Sequence, residues 1–169
     1  TKIHRISRIQ NRYLYNRFEF ERKRIETTNK SGNANVKQLF HGTRNTDPKA
    51  VYAGKSSSGF DPRLGGGYYG QGAHFAEKSA YSHSYRHTAN GRNYMFLAYV
   101  VCGNIKDYGK ATSNGLTRAP YLPPGHADYG TSAAPGLYDS VKGGPHSGSH
   151  MYIVYTLAQT YPGYLIEYA

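Results

Sequence analysis

Residues 94–102, Tyr-Met-Phe-Leu-Ala-Tyr-Val-Val-Cys, form an apolar and aromatic run with little alternation. A strand with one wet face alternates apolar and polar side chains, so an unbroken run predicts a central strand covered on both sides. The chain around it has 169 residues, enough for one substantial core and too few to suggest two. Its 20 glycines and 18 tyrosines, with no tryptophan, point to tight turns between short strands and to a β-rich α+β fold.

Local signals place further elements. Ile3, Ile6 and Ile9 open a short apolar segment, and Asn11 precedes Leu14, Phe18 and Ile25, the spacing of a capped helix with one buried stripe. Val36, Leu39 and Phe40 predict a brief strand that ends at His41, and Asp47 before Pro48 predicts the start of a short helix. A glycine-rich loop then runs through Gly59 and Gly65-Gly66-Gly67, where backbone can approach a ligand closely. Residues 75–85 lack strong breakers and read as a helix, which puts Ser82 and Tyr85 on one face. Residues 103–148 are rich in Gly, Pro, Ser and Asn and read as a long functional loop. Two strands, 151–156 and 164–168, close the chain around a Tyr161-Pro162-Gly163 turn.

The formal net charge is +11, and residues 1–30 hold nine Lys/Arg against three Glu. Such a surplus suits nucleic acid or another polyanion, and equally a solvated face beside other domains. Residues 13–24 interleave aromatic and basic side chains but read as an ordinary amphipathic helix, so base stacking is not indicated. The single cysteine, Cys102, lies inside the apolar run and reads as a buried structural thiol; a reducing compartment, cytoplasmic or nuclear, fits it. No run is long enough to cross a bilayer, and no membrane partner is expected. His83 with His87, and His146 with His150, have no carboxylate companions, so no metal is expected. The segment Gly67-Tyr68-Tyr69-Gly70-Gln71-Gly72 has the wrong glycine spacing for a dinucleotide fingerprint.

The segments Leu39-Phe40-His41-Gly42-Thr43, Tyr69-Gly70-Gln71-Gly72-Ala73-His74-Phe75-Ala76, Ser82 with Tyr85, and Met151-Tyr152-Ile153-Val154-Tyr155 together resemble the catalytic domain of the poly(ADP-ribose) polymerase (PARP) family. Arg8-Ile9-Gln10-Asn11 and Leu137-Tyr138-Asp139-Ser140-Val141 look like its mono-ADP-ribosylating branch. The resemblance spans nearly the whole chain and implies the ADP-ribosyltransferase fold: two abutting antiparallel sheets with flanking helices and an NAD+ cleft. It implies one catalytic domain over residues 1–169, monomeric as a domain and belonging to a longer protein. NAD+ is the implied co-substrate, nicotinamide the implied leaving group, and a protein the implied acceptor, with nucleic acid as a further acceptor class suggested by the basic N-terminal segment.

By the same resemblance, His41 bonds the nicotinamide ribose, the Gly42 backbone and Ser82 bond the carboxamide, and Tyr85 stacks on the nicotinamide ring. Thr43 completes the NAD+-binding segment. A glycine has no Cβ to block that approach, and its N–H and C=O match a carboxamide's acceptor and donor. His74 stands where the family usually has a second stacking tyrosine, and Met151 where polymer-forming members have a catalytic glutamate. With His41, these are the catalytic positions. A protonated His74 would repel a pyridinium, so activity is expected to depend on pH. Met151 cannot stabilise developing positive charge, which implies transfer of single ADP-ribose units to a carboxylate or phosphate acceptor. The alternatives are a transfer-inactive NAD+ or ADP-ribose-binding module and an enzyme that modifies nucleic acid.

Overall fold

The computed structural model describes every residue except 113, 114, 132 and 134. In chain order the elements are β1 (Ile3–Arg8), α1 (Arg12–Thr28), β2 (Val36–His41), α2 (Pro48–Tyr52), β3 (Ala73–Ala76), α3 (Ser79–His83), β4 (His87–Ala89), β5 (Arg92–Val101), β6 (Ile105–Asp107), β7 (Ser140–His146), β8 (Ser149–Val154) and β9 (Thr160–Tyr168). Among the described residues the strands form one hydrogen-bonded path, β1-β9-β5-β2-β3-β8-β7-β6, with β4 paired to β5. The path has a seam: β2 and β3 are registered through a single pair, Phe40 with Ala76. The two abutting sheets implied by the sequence correspond to the two sides of that seam. Pairing is antiparallel except between β6 and β7.

The central position of β5 follows from its composition. It pairs with β2 on one side and β9 on the other. Phe96, Ala98 and Val100 enter a core with Leu39, Val51, Phe60 and Phe75, while Val101 on the other face meets Leu14, Phe18 and Ile25 of α1. Each large side chain buried this way contributes roughly 1.5–3 kcal/mol, which is why the run cannot lie at a wet edge. Cys102 lies in the first core, where burial pushes its thiol up to about 12, so it is an inert structural group.

Capping fixes where the helices begin. The Asn11 side chain accepts from the N–H groups of Tyr13 and Leu14 at 3.0 and 3.1 Å, and its amide donates to the carbonyls of Tyr52 and Gly54 at 2.9 Å each. One side chain therefore starts α1 and ties it to the end of α2. Asp47 caps α2 through the Lys49 N–H, with Pro48 at the first helical position.

Three local expectations change. Residues 75–85 are not one helix: Phe75 and Ala76 belong to β3 and pair with Tyr152 and Met151, and only Ser79–His83 is helical. Tertiary pairing overrides a segment without breakers. Residues 103–148 contain β6 and β7 beside their irregular parts. Tyr161-Pro162-Gly163 is inside β9, and the chain reverses instead at a 3-10 turn, Leu157–Gln159. Register shifts there, with Leu97 opposite Tyr164 and Tyr99 opposite Tyr161. Pro162 and Gly163 thus sit in a bulge opposite Ala98, where a missing N–H is tolerated.

Candidate active site

A cleft of about 810 Å³ lies at the seam, within the range of small-molecule sites. Its lining brings together His41, Gly42, Thr43, His74, Ser82, Tyr85 and Met151, every site residue expected from the sequence. The first three leave the end of β2, His74 rides on β3, and Met151 lies on the neighbouring strand β8. Ser82 lies in α3 and Tyr85 just past its end, so the two share a turn and not the helix face expected from their spacing; the Tyr85 N–H donates to the Ser82 carbonyl at 3.0 Å.

His41 is held as a neutral acceptor. Its Nδ1 lies 2.6 Å from the His74 carbonyl, and its ring packs against Phe60 and Phe75 at centroid distances of 4.7 and 5.1 Å. Burial among these groups lowers the imidazole to about 4, so near neutral pH it carries one proton. A carbonyl can only accept, so that proton is on Nδ1 and Nε2 is left with a lone pair.

Gly42 is set by its neighbours. A Cβ there would stand 2.7 Å from the Ser82 carbonyl oxygen and closer still to that of Tyr85. The Tyr85 carbonyl accepts the Arg44 N–H at 2.8 Å, so the β2 exit and the turn after α3 are laced together. Thr43 closes the adjoining turn through its hydroxyl, which donates to the Thr46 carbonyl at 2.7 Å. Ser82 is buried, and among the described residues no hydrogen bond engages its hydroxyl. An unpartnered hydroxyl on the cleft wall, beside backbone that excludes any Cβ, fits a small planar amide.

The Tyr85 ring meets an aromatic and a cationic side chain. Tyr81 lies 5.5 Å away at 33°, and the Arg44 guanidinium stands 4.4 Å from the ring centroid. His74 is placed differently from a free stacking ring: Nδ1 is 2.8 Å from the Gly72 carbonyl and Nε2 is 2.6 Å from the Tyr68 carbonyl. A neutral imidazole can donate to only one of them, whereas an imidazolium donates to both. Either way the ring anchors the glycine-rich loop to β3.

Met151 is 3 % exposed and packs with Tyr69, Val141 and Ile153. Glu77, next to its strand partner Ala76, is engaged elsewhere, accepting from the Tyr152 hydroxyl at 2.9 Å and meeting His150 at 3.2 Å. Among the described lining residues the only carboxylate is Asp61, and Arg63 grips it at 2.7 Å and holds it below the usual carboxylate range. Arg44, Phe60, Asp61, Tyr68 and Tyr81 were not singled out from the sequence. Of these, only Arg44 had a local signal, since it follows Thr43 directly. Among the described residues no three His, Cys, Asp or Glu side chains gather as a metal site would require, and no helix is long and apolar enough to cross a membrane.

The chain is 33% identical to a probable poly(ADP-ribose) polymerase of Dictyostelium discoideum over 99% of its own length and 44% of the relative's. It is 32% identical to the mouse protein mono-ADP-ribosyltransferase PARP12 and 30% identical to human PARP14, another protein mono-ADP-ribosyltransferase; both alignments cover 99% of this chain, but 22% and 9% of the respective relatives. The chain thus spans less than half the length of these relatives. Residues 1–169 match the family described as the poly(ADP-ribose) polymerase catalytic domain, and the chain belongs to that family.

Proposed function

We propose that this domain transfers single ADP-ribose units from NAD+ to a macromolecular acceptor, a protein first of all, and releases nicotinamide. The observation that carries this reading is the corner formed by Gly42, Ser82 and Tyr85, with its bare backbone, unpartnered hydroxyl on the cleft wall and aromatic face. The carboxamide bonds Gly42 and Ser82, and Tyr85 stacks on the ring. The lone pair on His41 Nε2 accepts from a ribose hydroxyl, with Thr43 and His74 completing the contacts. In the reaction the bond from ribose C1′ to the nicotinamide nitrogen breaks. Its electron pair goes to that nitrogen, neutral nicotinamide leaves, and an acceptor oxygen bonds to C1′. Holding NAD+ oriented supplies much of the rate.

Met151 supports single transfer. Elongation needs a ribose hydroxyl to be bound and polarised, and a buried thioether disfavours both. An ionised carboxylate or phosphate needs no such help, so acceptors of that kind fit, and the names of the mouse and human relatives favour protein over nucleic acid. The test is incubation with labelled NAD+ and candidate acceptors, then phosphodiesterase digestion. Single units yield AMP; substantial phosphoribosyl-AMP would refute mono-transfer. A second reading, a binding module without transfer, is favoured by the tethering of His74 to two carbonyls. It expects nicotinamide binding with no labelling of any acceptor.

A further inference from the structure

We infer that Arg44 is a charge-discriminating residue of the cleft, repelling the cationic nicotinamide of bound NAD+ and favouring the neutral nicotinamide formed as the glycosidic bond breaks. The inference rests on the nicotinamide reading of the Tyr85 corner given above. Three observations carry it. The guanidinium stands 4.4 Å from the centroid of the Tyr85 ring, on which the nicotinamide is proposed to stack. The Arg44 backbone is pinned at both ends: its N–H donates to the Tyr85 carbonyl at 2.8 Å, and its carbonyl faces His87 Nδ1 at 2.7 Å. It also holds a φ of 49°, a left-handed conformation uncommon for a residue with a Cβ and one that persists where surrounding structure enforces it.

The electrostatic consequence follows from what surrounds that charge. Among the described residues no carboxylate forms an ion pair with Arg44, and the one acidic lining residue, Asp61, is held by Arg63. The guanidinium is always protonated, so its field in the cleft is constant. A pyridinium stacked on the face of Tyr85 opposite Arg44 meets a like charge across the ring, and the two cations draw on the same π-electrons. When C1′ and the nitrogen separate, the electron pair stays with nitrogen and the ring loses its charge, while the positive charge passes to the ribose. That end of the ligand faces His41, which is neutral and presents a lone pair. The cation thus raises the energy of bound NAD+ more than that of the transition state, the condition under which binding is lost and rate gained. In a cleft where Met151 replaces an acid, a cation at the leaving-group end assists the same charge movement from the other side.

The test compares neutral nicotinamide with N1-methylnicotinamide, a permanent cation of nearly the same shape, by calorimetry on the unmutated domain, Arg44→Gln and Arg44→Lys. Adding a stacking distance of about 3.5 Å to the observed 4.4 Å puts the charges about 8 Å apart, for which partly screened repulsion amounts to about tenfold in affinity. Arg44→Gln should raise affinity for the cation about tenfold relative to the neutral ligand, and Arg44→Lys should keep the original preference. With NAD+, Arg44→Gln should lower KM and kcat together, as when ground-state strain is removed. An unchanged ratio in Arg44→Gln, or a raised KM for NAD+ with that ratio unchanged, overturns the role and makes Arg44 an ordinary contact. Failure of nicotinamide to bind the unmutated domain overturns the site reading and this inference with it.

Discussion

Gly42→Ala isolates the geometry of the cleft from its chemistry, because it adds one methyl group and changes no charge. The new Cβ would lie 2.7 Å from the Ser82 carbonyl oxygen, about 0.7 Å inside the closest ordinary contact, and nearer again to the Tyr85 carbonyl. Neither carbonyl is free to retreat: one accepts the Tyr85 N–H at 3.0 Å and the other accepts the Arg44 N–H at 2.8 Å. The turn carrying Ser82 and Tyr85 therefore has to move away from β2 by close to 1 Å. A displacement of that size costs on the order of 10²-fold in rate, about 2.7 kcal/mol of transition-state binding. Overpacking costs the fold about 1–3 kcal/mol, and a domain of this length loses roughly 2–4 °C of melting temperature per kcal/mol. The assay pairs kcat/KM for nicotinamide release with the melting temperature of the free domain and its upward shift with nicotinamide. Activity should fall about 10²-fold and the shift should vanish, while the free domain still melts cooperatively within about 10 °C of the unmutated one. A variant that keeps kcat/KM within threefold would refute the reasoning, for it would mean that the turn can yield without consequence.

Three further outcomes are expected. The His41 imidazole titrates near 4 in the fold against an ordinary 6.5, so the unfolded chain binds the proton first as pH falls. Its contribution, about 3 kcal/mol, is complete above about pH 6.5 and is lost towards pH 4; melting curves should show this pH dependence, and His41→Gln should remove it. Met151→Glu puts a carboxylate among the buried apolar groups Tyr69, Val141 and Ile153, so it should destabilise by about 2–3 kcal/mol in denaturant titrations and still give AMP as the sole digestion product. Arg5, Arg8 and Arg12 are exposed, and reversing all three to Glu should weaken labelling of a polyanionic acceptor at low salt while NAD+ hydrolysis stays level; equal labelling would make this face a solvated one.

Much of the site was legible because its determinants are short and contiguous. Histidine, glycine and threonine follow one another at a strand end, Ser82 and Tyr85 are three residues apart, and Met151 opens a short apolar stretch. The caps at Asn11 and Asp47 and the apolar density of β5 were equally local. What escaped depends on partners distant in sequence. Phe75 reads as helical until Tyr152 pairs with it, and Pro162 with Gly163 reads as a turn until the Tyr99 ring is seen 2.6 Å from where a Cβ at Gly163 would lie. Arg44 stands four residues past Phe40 in a left-handed turn, and only the fold carries its guanidinium to Tyr85. The two carbonyls that tether His74 come from Tyr68 and Gly72, near in sequence, yet backbone oxygens leave no mark in a list of side chains.

The single residue pair joining β2 to β3 has a mechanical meaning. His41 and Gly42 leave the sheet on one side of that pair, and His74 and Met151 stand on the other, so a molecule that touches both groups becomes a rivet through the weakest line of the sheet. Strands held by few hydrogen bonds open at the low end of the stability scale, and a ligand linked to the closed form suppresses that opening by mass action. Under the proposed function, the dinucleotide that the domain consumes also braces it: each turnover removes the rivet, and slow amide exchange along β2 and β3 becomes a gauge of how often the cleft is filled.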